Sequence, residues 1–257
     1  MKKLLKQHKT QVLAALLLFG LSYLPLAAQE FKMAMGKGSK LKVVDVIGSI
    51  YVQEHSGNEI LITTPEYSRP AKAAGMKILG VAGTDNTKVG MNYKKEGNTL
   101  TLRGIRRKKN NYYIKLPKGT AFMARLKSVY SNKLEIKNFS GEIEIDVAYT
   151  RVTLENITGP VLLNATYKGP KVVFSKVNQN KPTSIVCPYG DVDVTLPADT
   201  KANIIASSSY GDIFTNMDIK LDTNGGRRKS KVRGTLNGGG VEIEVRSPYK
   251  NVYLRKK

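Results

Sequence analysis

Two short basic clusters offer the clearest chemistry in this sequence. The first runs from Arg106 to Lys109 and leads into Asn-Asn-Tyr-Tyr. The second runs from Arg227 to Arg233 and lies between two glycine-rich stretches. Clustered cations bind phosphate, sulfate or carboxylate groups by a salt-sensitive attraction that ignores the sequence of the polymer. The clusters predict a polyanion-binding surface, with an ordinary solvated loop as the alternative for each. The predicted site residues are Arg106, Arg107, Lys108, Lys109, Arg227, Arg228, Lys229, Lys231 and Arg233.

Residues suited to catalysis or metal binding are scarce. Beyond the N-terminal segment 1–28, the sequence has one histidine, His55, and one cysteine, Cys187, and it contains no Gly-x-Ser-x-Gly motif. A histidine-based triad or a zinc site requires more than this set provides. We therefore expect His55 to lie in a surface turn and Cys187 to be a buried structural thiol. The sequence predicts no catalytic residues, no metal site and no cofactor.

Three aspartates form the one arrangement that would suit an enzyme. Asp191 and Asp193 are two residues apart, so both face outward on a strand whose intervening valine faces inward. Asp212 is expected one repeat further on, above Asp191. Outward aspartates can bind calcium, and a polysaccharide lyase would combine such a site with a basic proton acceptor. A lyase-like enzyme that processes polysaccharides is therefore an alternative function, and a solvated face is the simpler interpretation.

A tandem repeat predicts the framework that positions these residues. Segment 134–151 reads LEIKNFSGEIEIDVAYTR and segment 152–169 reads VTLENITGPVLLNATYKG, so similar residues recur after 18 positions. Each copy contains two short runs of alternating apolar and polar residues, which is the pattern of half-buried strands. A repeat of this length is typical of stacked β-strand coils. The sequence predicts an all-β fold, a single elongated parallel β-helix or β-solenoid with rungs of about 18–21 residues.

Residues one repeat apart are expected to stack in columns along parallel strands. The asparagine column would form an amide ladder, the glycine column would mark a corner that needs open backbone angles, and the tyrosine column would stack rings. Tyr189, Tyr210 and Tyr249 continue the tyrosine pattern, either as corner packing or as an aromatic ladder for sugar rings. The expected columns pair Leu134 with Val152, Ile136 with Leu154, Asn138 with Asn156, Gly141 with Gly159 and Tyr149 with Tyr167.

The N-terminal segment 1–28 has the layout of a secretory signal peptide. Four lysines precede an apolar run that ends in two alanines before Gln29. We expect cleavage after Ala28, and an uncleaved membrane anchor is the alternative, although the run is short for a helix that spans a bilayer. Residues 29–257 are expected to form one domain without a transmembrane segment, with irregular insertions near 65–93 and 221–240.

The balance of charge indicates an anionic partner. The chain has 42 Lys and Arg residues against 20 Asp and Glu, a net charge of +22. The signal peptide holds four of the basic residues and none of the acidic ones, which leaves +18 on the exported chain. Such a charge favours polyanions and carries no information about the fold. In the periplasm or on the surface of a Gram-negative bacterium, the expected partner is acidic glycan, lipopolysaccharide or another polyanion, without specific recognition of nucleic acid.

Five short runs carry a resemblance to a known family. They are SGEIEI at 140–145, VTLENITGPV at 152–161, YGDVDVTLP at 189–197, GTLNGGGV at 234–241 and VYLRKK at 252–257. Over roughly 43–257, the chain resembles the exported bacterial proteins called putative adhesins, which are common in the Bacteroidetes. The resemblance implies a right-handed β-helix-like domain, related to adhesin head domains, and it supplies no catalytic residues.

The repeat, the signal peptide and the lack of catalytic motifs together predict the function. We expect an exported, non-enzymatic scaffold that serves as an adhesin or binds glycans and other envelope polymers. The lyase-like enzyme and an envelope signalling accessory protein are the alternatives.

Overall fold

The computed structural model describes residues 29–65, 70–80, 83–105, 108–222 and 231–257. This part of the chain contains 23 strands and one 3-10 helix at Ala71–Ala73. Of the strands, ten form a first sheet, eleven form a second sheet and two form a small hairpin. The predicted all-β class is confirmed. No helix in the described ranges is long and apolar enough to cross a bilayer.

The strands are short, and their bounds follow in chain order. The first twelve are β1 (Gln29–Ala34), β2 (Lys40–Val44), β3 (Gly48–His55), β4 (Glu59–Thr64), β5 (Leu79–Gly80), β6 (Gly83–Thr84), β7 (Met91–Glu96), β8 (Thr99–Gly104), β9 (Asn110–Pro117), β10 (Ala121–Leu126), β11 (Ser131–Phe139) and β12 (Ile143–Val147). The others are β13 (Arg151–Ile157), β14 (Val161–Ala165), β15 (Lys171–Phe174), β16 (Thr183–Val186), β17 (Val192–Leu196), β18 (Ala202–Ser207), β19 (Ile213–Thr215), β20 (Lys220–Leu221), β21 (Lys231–Leu236), β22 (Val241–Arg246) and β23 (Val252–Lys256).

Parallel strands make up most of each large sheet, and antiparallel strands lie at one end of the first sheet and at both ends of the second. The strand order is β1-β4-β9-β3-β11-β13-β15-β17-β23-β19 in the first sheet and β20-β21-β18-β22-β16-β14-β12-β10-β2-β8-β7 in the second. Neighbours are parallel from β9 to β19 and from β18 to β8. The pairings of β1, β4, β7, β20 and β21 at the sheet ends are antiparallel.

The prediction of a single right-handed parallel β-helix is wrong. Both large sheets are mixed, and the chain does not close into a solenoid. The spatial order also departs from the chain order, because β22 lies between β16 and β18 while β23 lies between β17 and β19. The sequence could not show this, since an alternating pattern reports which face of a strand is buried and says nothing of its direction or its neighbours.

Within the repeat itself, the predicted pairing is confirmed. Leu134 pairs with Val152, and Ile136 pairs with Leu154, along the parallel strands β11 and β13. All four side chains are fully buried. Because a shift by one residue would turn each aliphatic side chain out to solvent, burial of this face fixes the register.

The predicted asparagine column lies at the ends of β11 and β13, and the predicted glycine column lies in the turns that follow them. Asn156 Nδ2 donates a hydrogen bond to Asn138 Oδ1 over 2.5 Å, and both residues have positive φ angles of 57° and 51°. Gly159 lies against Gly141, where an added Cβ would come within 1.9 Å of the Gly141 carbonyl oxygen. Neither glycine has a positive φ. Glycine is therefore required in this column because the neighbouring backbone leaves no room for a Cβ. The predicted need for open backbone angles is wrong.

One apolar core lies between the two large sheets. Its largest fully buried side chains include Phe122, Phe139 and Phe174, and nearly every strand contributes an inward residue. Phe122 and Phe139 meet edge to face, with ring centroids 6.4 Å apart. Burying a large apolar side chain contributes about 1.5–3 kcal/mol. This core holds the sheets in register, and it thereby fixes the turns that join them.

The two predicted insertions contain regular elements. The first includes the 3-10 helix, the β5–β6 hairpin and the start of β7, and the second includes β21, which belongs to the second sheet. After β21, a turn at Asn237, Gly238 and Gly239 has φ angles of 49°, 84° and 84°. The predicted signal peptide, residues 1–28, lies outside the described residues, as do residues 66–69, 81–82 and 223–230 of the predicted insertions.

Candidate ligand-binding site

Eight turns that lead from the second sheet to the first form one continuous edge of the molecule, which we call the ridge. Because the two sheets share the same strand order here, the turns stack in the order of the strands they join. Adjacent strands are about 4.8 Å apart, so the ridge extends over roughly 35 Å. In spatial order, the described residues of its turns are 105 with 108–109, then 45–47, 127–130, 148–150, 166–170, 187–191, 247–251 and 208–212.

Five tyrosines stack along the last five turns of the ridge. Ring centroids are 4.8 Å apart from Tyr149 to Tyr167, 5.5 Å from Tyr167 to Tyr189, 5.0 Å from Tyr189 to Tyr249 and 5.2 Å from Tyr249 to Tyr210. The predicted stack of Tyr149 and Tyr167 is confirmed. Tyr249, however, lies between Tyr189 and Tyr210, because β22 and β23 are inserted between strands that precede them in the chain.

The stacking decides which part of each tyrosine a ligand can reach. A ring between two stacked neighbours has both faces covered, so it presents its edge and its hydroxyl group. Tyr167, Tyr189 and Tyr249 are 47–49% exposed, while Tyr210 at the end of the row is 78% exposed. Sugar rings that pack on aromatic faces therefore find no open platform in the middle of the row. The row offers phenol hydroxyl groups, which donate and accept hydrogen bonds.

Side chains of the last three turns fix one another. Asp191 Oδ1 accepts a hydrogen bond from the Asn251 backbone N–H over 2.9 Å, and Asn251 Oδ1 accepts one from the Asp212 N–H over 2.9 Å. Asn251 thus separates the two aspartates, and Asp212 does not lie directly above Asp191. The Arg255 guanidinium donates to both Asp193 oxygens at 2.9 and 3.1 Å, and this contact raises the pKa of Arg255.

Two aspartates of the lyase hypothesis therefore have structural roles, one in connecting neighbouring turns and the other in an ion pair. Asp191 holds a backbone N–H of the neighbouring turn, and Asp193 holds Arg255. Among the residues that the structure describes, no three His, Cys, Asp or Glu side chains group closely enough to hold a metal ion.

Lysines and aspartates recur along the described turns of the ridge, and all of these side chains are exposed. Lys127 also contacts the Asp146 carboxylate, which lies 3.9 Å from Arg125 as well, so two cations share one anion. The lysines on the ridge turns are Lys108, Lys109, Lys127, Lys168 and Lys250, and the aspartates are Asp45, Asp191 and Asp212.

The described members of the two predicted basic clusters lie near the two ends of the ridge. Lys108 and Lys109 lie in its first turn. Lys231 pairs with Ser207, the last residue before the final turn, and Arg233 is two residues further along β21. Both β21 cations are exposed. The other predicted site residues lie outside the described residues: Arg106, Arg107, Arg227, Arg228 and Lys229.

Sequence reasoning missed the lysines in the middle of the ridge. Lys168 follows Tyr167 and Lys250 follows Tyr249, so a repeated Tyr-Lys pair was the available signal. The two pairs are far apart in the chain, yet only the Tyr189 turn separates them in space.

Comparisons with known proteins give little further guidance. No family model and no curated protein matches this sequence. Among solved structures, a putative cell adhesion protein from Clostridium sporogenes ATCC 15579 aligns with 90% of this chain and 100% of its own, at 13% identity and a TM-score of 0.47. A putative adhesin from Bacteroides fragilis NCTC 9343 aligns with 89% of this chain and 96% of its own, at 13% identity and a TM-score of 0.34.

A third solved structure has a different description. This putative lipid binding protein from Parabacteroides distasonis ATCC 8503 aligns with 88% of this chain and 95% of its own, at 11% identity and a TM-score of 0.25. Two of the three proteins thus share the adhesion label of the family that the sequence resembles. Because all three TM-scores are below 0.5, these likenesses assign the chain to no family and carry no argument about its function.

His55 is the last residue of β3, where the chain turns toward β4, away from the ridge. Its Nε2 is 2.7 Å from the Glu59 carbonyl oxygen, and the Gly57 backbone N–H donates to its Nδ1 over 3.1 Å. Both ring nitrogens therefore stabilise the local turn. The prediction of a histidine in a surface turn is confirmed.

Cys187 is a fully buried thiol in the turn after β16, as predicted. Burial raises its pKa to about 11. At about pH 8 we therefore expect the native protein to resist thiol reagents, because the reactive thiolate is scarce and access is closed. The absorbance released from a disulfide reagent measures this, with protein in concentrated guanidinium chloride as the control that reacts fully. Rapid labelling of the native protein would contradict the burial of Cys187.

Proposed function

We propose that this chain is a non-enzymatic binding module for an extended anionic glycan, which lies along the ridge. One observation carries the proposal. A single exposed edge combines stacked tyrosines with lysines from separate turns, and the described members of both basic clusters lie at its two ends.

The shape of the ridge favours a long ligand over a small one. The turns rest on paired strands and on a shared core, so they lose little conformational freedom when a ligand binds. Each exposed lysine contributes roughly 1 kcal/mol or less to an ion pair. Useful affinity therefore requires contacts with several turns at once, and a polymer makes such contacts. The tyrosine hydroxyl groups between the lysines supply hydrogen bonds for sugar hydroxyl or carboxylate groups.

The predicted signal peptide determines which polymers the protein would meet. An exported chain encounters acidic polysaccharide in the periplasm or at the cell surface, and the net positive charge attracts it. The lyase-like alternative gains no support from the contacts, since Asp191 and Asp193 already hold Asn251 and Arg255.

A matched pair of triple variants tests this proposal. Lys108, Lys168 and Lys250 lie on the ridge, whereas Lys118, Lys176 and Lys201 lie in turns at the opposite corner and are also exposed. We compare K108Q/K168Q/K250Q with K118Q/K176Q/K201Q for retention on immobilised hyaluronan and on immobilised polygalacturonate, along a salt gradient. Both variants lose the same three charges, so only the position of the charges differs.

We expect the ridge variant to elute at clearly lower salt, and the slope of log affinity against log salt to fall by about 1 for each contacting lysine removed. The opposite-corner variant should elute close to the unmodified protein. Equal losses in the two variants would show that net charge alone drives retention, and lack of retention on both polymers at low salt would refute glycan binding.

A further inference from the structure

The ridge carries its charges in an alternating order, and we infer that it selects anionic glycans with one anionic group per disaccharide over glycans with an anionic group on every sugar. This inference rests on the proposed function, because it specifies the ligand of the same ridge.

The alternation follows from the spatial order of the turns. Lysines occupy the first, third, fifth and seventh turns, and aspartates occupy the second, sixth and eighth. The fourth turn, at 148–150, carries no charge. This order is invisible in the chain, because the seventh turn follows the eighth in sequence.

The spacing of the lysines matches a disaccharide. Tyr167 and Tyr249 mark the fifth and seventh turns, and the two centroid distances between them are 5.5 and 5.0 Å. Lys168 and Lys250, which follow these tyrosines, are therefore placed two strand spacings apart. One sugar of an extended polysaccharide spans about one strand spacing, so a disaccharide spans about two.

The aspartates provide the discrimination. Asp191 lies in the turn between those of Lys168 and Lys250, and its carboxylate is held there by the Asn251 N–H. A polymer with an anion on every sugar would bring a like charge to Asp191 and again to Asp212. A repulsive contact with the wrong ligand is a common source of specificity.

Screening by salt confines the interactions of each bound anion to nearby turns. At physiological ionic strength the Debye length is about 8 Å, so an anion interacts mainly with the turn beneath it and the nearest neighbours. Each strand of a DNA duplex carries a phosphate for about every 3.4 Å of helix axis, so some phosphates would also meet aspartates.

The third turn keeps a positive charge despite its internal ion pair. Lys127 and Arg125 share the Asp146 carboxylate, so one cation remains in excess at this place. The alternating order therefore continues from the basic first turn to the seventh.

The test compares two polymers on two double variants. Hyaluronan has one carboxylate per disaccharide and polygalacturonate has one on every sugar. D191N/D212N removes the two ridge aspartates, and asparagine at 191 keeps an oxygen for the Asn251 N–H. D199N/D218N removes the same charge from exposed residues at the opposite corner. Affinities are measured by calorimetry with chains of matched length at about physiological salt.

We expect the unmodified protein to bind hyaluronan more tightly than polygalacturonate, by about 5-fold, which is the size expected of a few surface charge contacts. D191N/D212N should close most of this gap by strengthening the binding of polygalacturonate, and D199N/D218N should preserve it. Tighter binding of polygalacturonate by the unmodified protein, or a gap that D191N/D212N leaves intact, overturns the spacing inference while the proposed function stands. Failure of both polymers to bind overturns the proposed function itself.

Discussion

Replacing Gly159 with alanine should destabilise the protein by more than about 3 kcal/mol, beyond the usual range for overpacking. The added Cβ would lie 1.9 Å from the Gly141 carbonyl oxygen and 2.8 Å from the Ser140 carbonyl oxygen. Both atoms belong to the backbone of the neighbouring turn, where Ile143 N donates to the Pro160 oxygen over 3.0 Å. Relief would require the two turns to separate, which would break the pairing of β12 with β14.

An alanine variant at a second glycine distinguishes the effect of a steric clash from that of backbone strain. Gly119 has a φ of +77° and no heavy atom within 4 Å of an added Cβ. Gly119→Ala should therefore cost only the roughly 1–2 kcal/mol of a left-handed alanine. Guanidinium unfolding followed by circular dichroism measures both variants. If Gly159→Ala proves no more harmful than Gly119→Ala, the turns do not approach each other as closely as the structure shows.

The repeat made part of this packing predictable. Each column of the repeat joins residues that complement their own kind: aliphatic side chains pack, asparagine amides bond to each other, and tyrosine rings stack. A pattern that recurs at one fixed interval in all of these properties has one register that satisfies them together. The pairing of Leu134 with Val152 and the contact of Asn138 with Asn156 could therefore be predicted from the sequence.

The order of the later strands could not be predicted in the same way. Tyr189 and Tyr210 are spaced along the chain like neighbours in a regular coil, yet Tyr249 lies between them. The alternation in β22 fits any position with one buried face, and the bond from Asn251 N to Asp191 joins residues 60 positions apart. No local signal encodes such a contact, and a solenoid built in chain order would have its last strands at an end of the molecule.

The candidate site could likewise be predicted only in part from the sequence. The local sequence alone revealed the two basic clusters, because their cations are close together in the chain. The positions of their described members near opposite ends of one ridge depend on strand order, as does the alternation of Lys168, Asp191 and Lys250. Isolated charges acquire a common role only when the turns are stacked, and that information is absent from the local sequence.

Deleting the last strand, residues 252–257, should unfold the protein although these residues end the chain. β23 pairs with β17 through five residues and with β19 through three, so it lies inside the first sheet. Val252 and Leu254 are 0% and 1% exposed. Their loss would remove about 1.5–3 kcal/mol of burial for each side chain, together with the hydrogen bonds on both sides of the strand. The total is comparable with the roughly 5–15 kcal/mol that holds a typical domain folded.

Deletion of β1 is the matched control, because residues 29–34 form the first strand that the structure describes. β1 pairs with β4 alone in the described part of the sheet, so its removal exposes one edge and opens no gap within the sheet. We expect this variant to unfold cooperatively at lower denaturant concentration, while the variant without β23 shows no cooperative transition. Thermal unfolding and near-ultraviolet circular dichroism distinguish the two results.

A point variant keeps the test informative if the shortened chain is insoluble. Leu254→Ala should cost about 2–5 kcal/mol, as expected for a leucine in a closed core. Met33→Ala, in β1, should cost less, because Met33 is only partly buried against the core. In a sequential coil the final strand would be a frayed edge, and Leu254 would then matter no more than Met33. A larger penalty at Leu254 therefore reports directly on the insertion of β23 between β17 and β19, and equal penalties would contradict it.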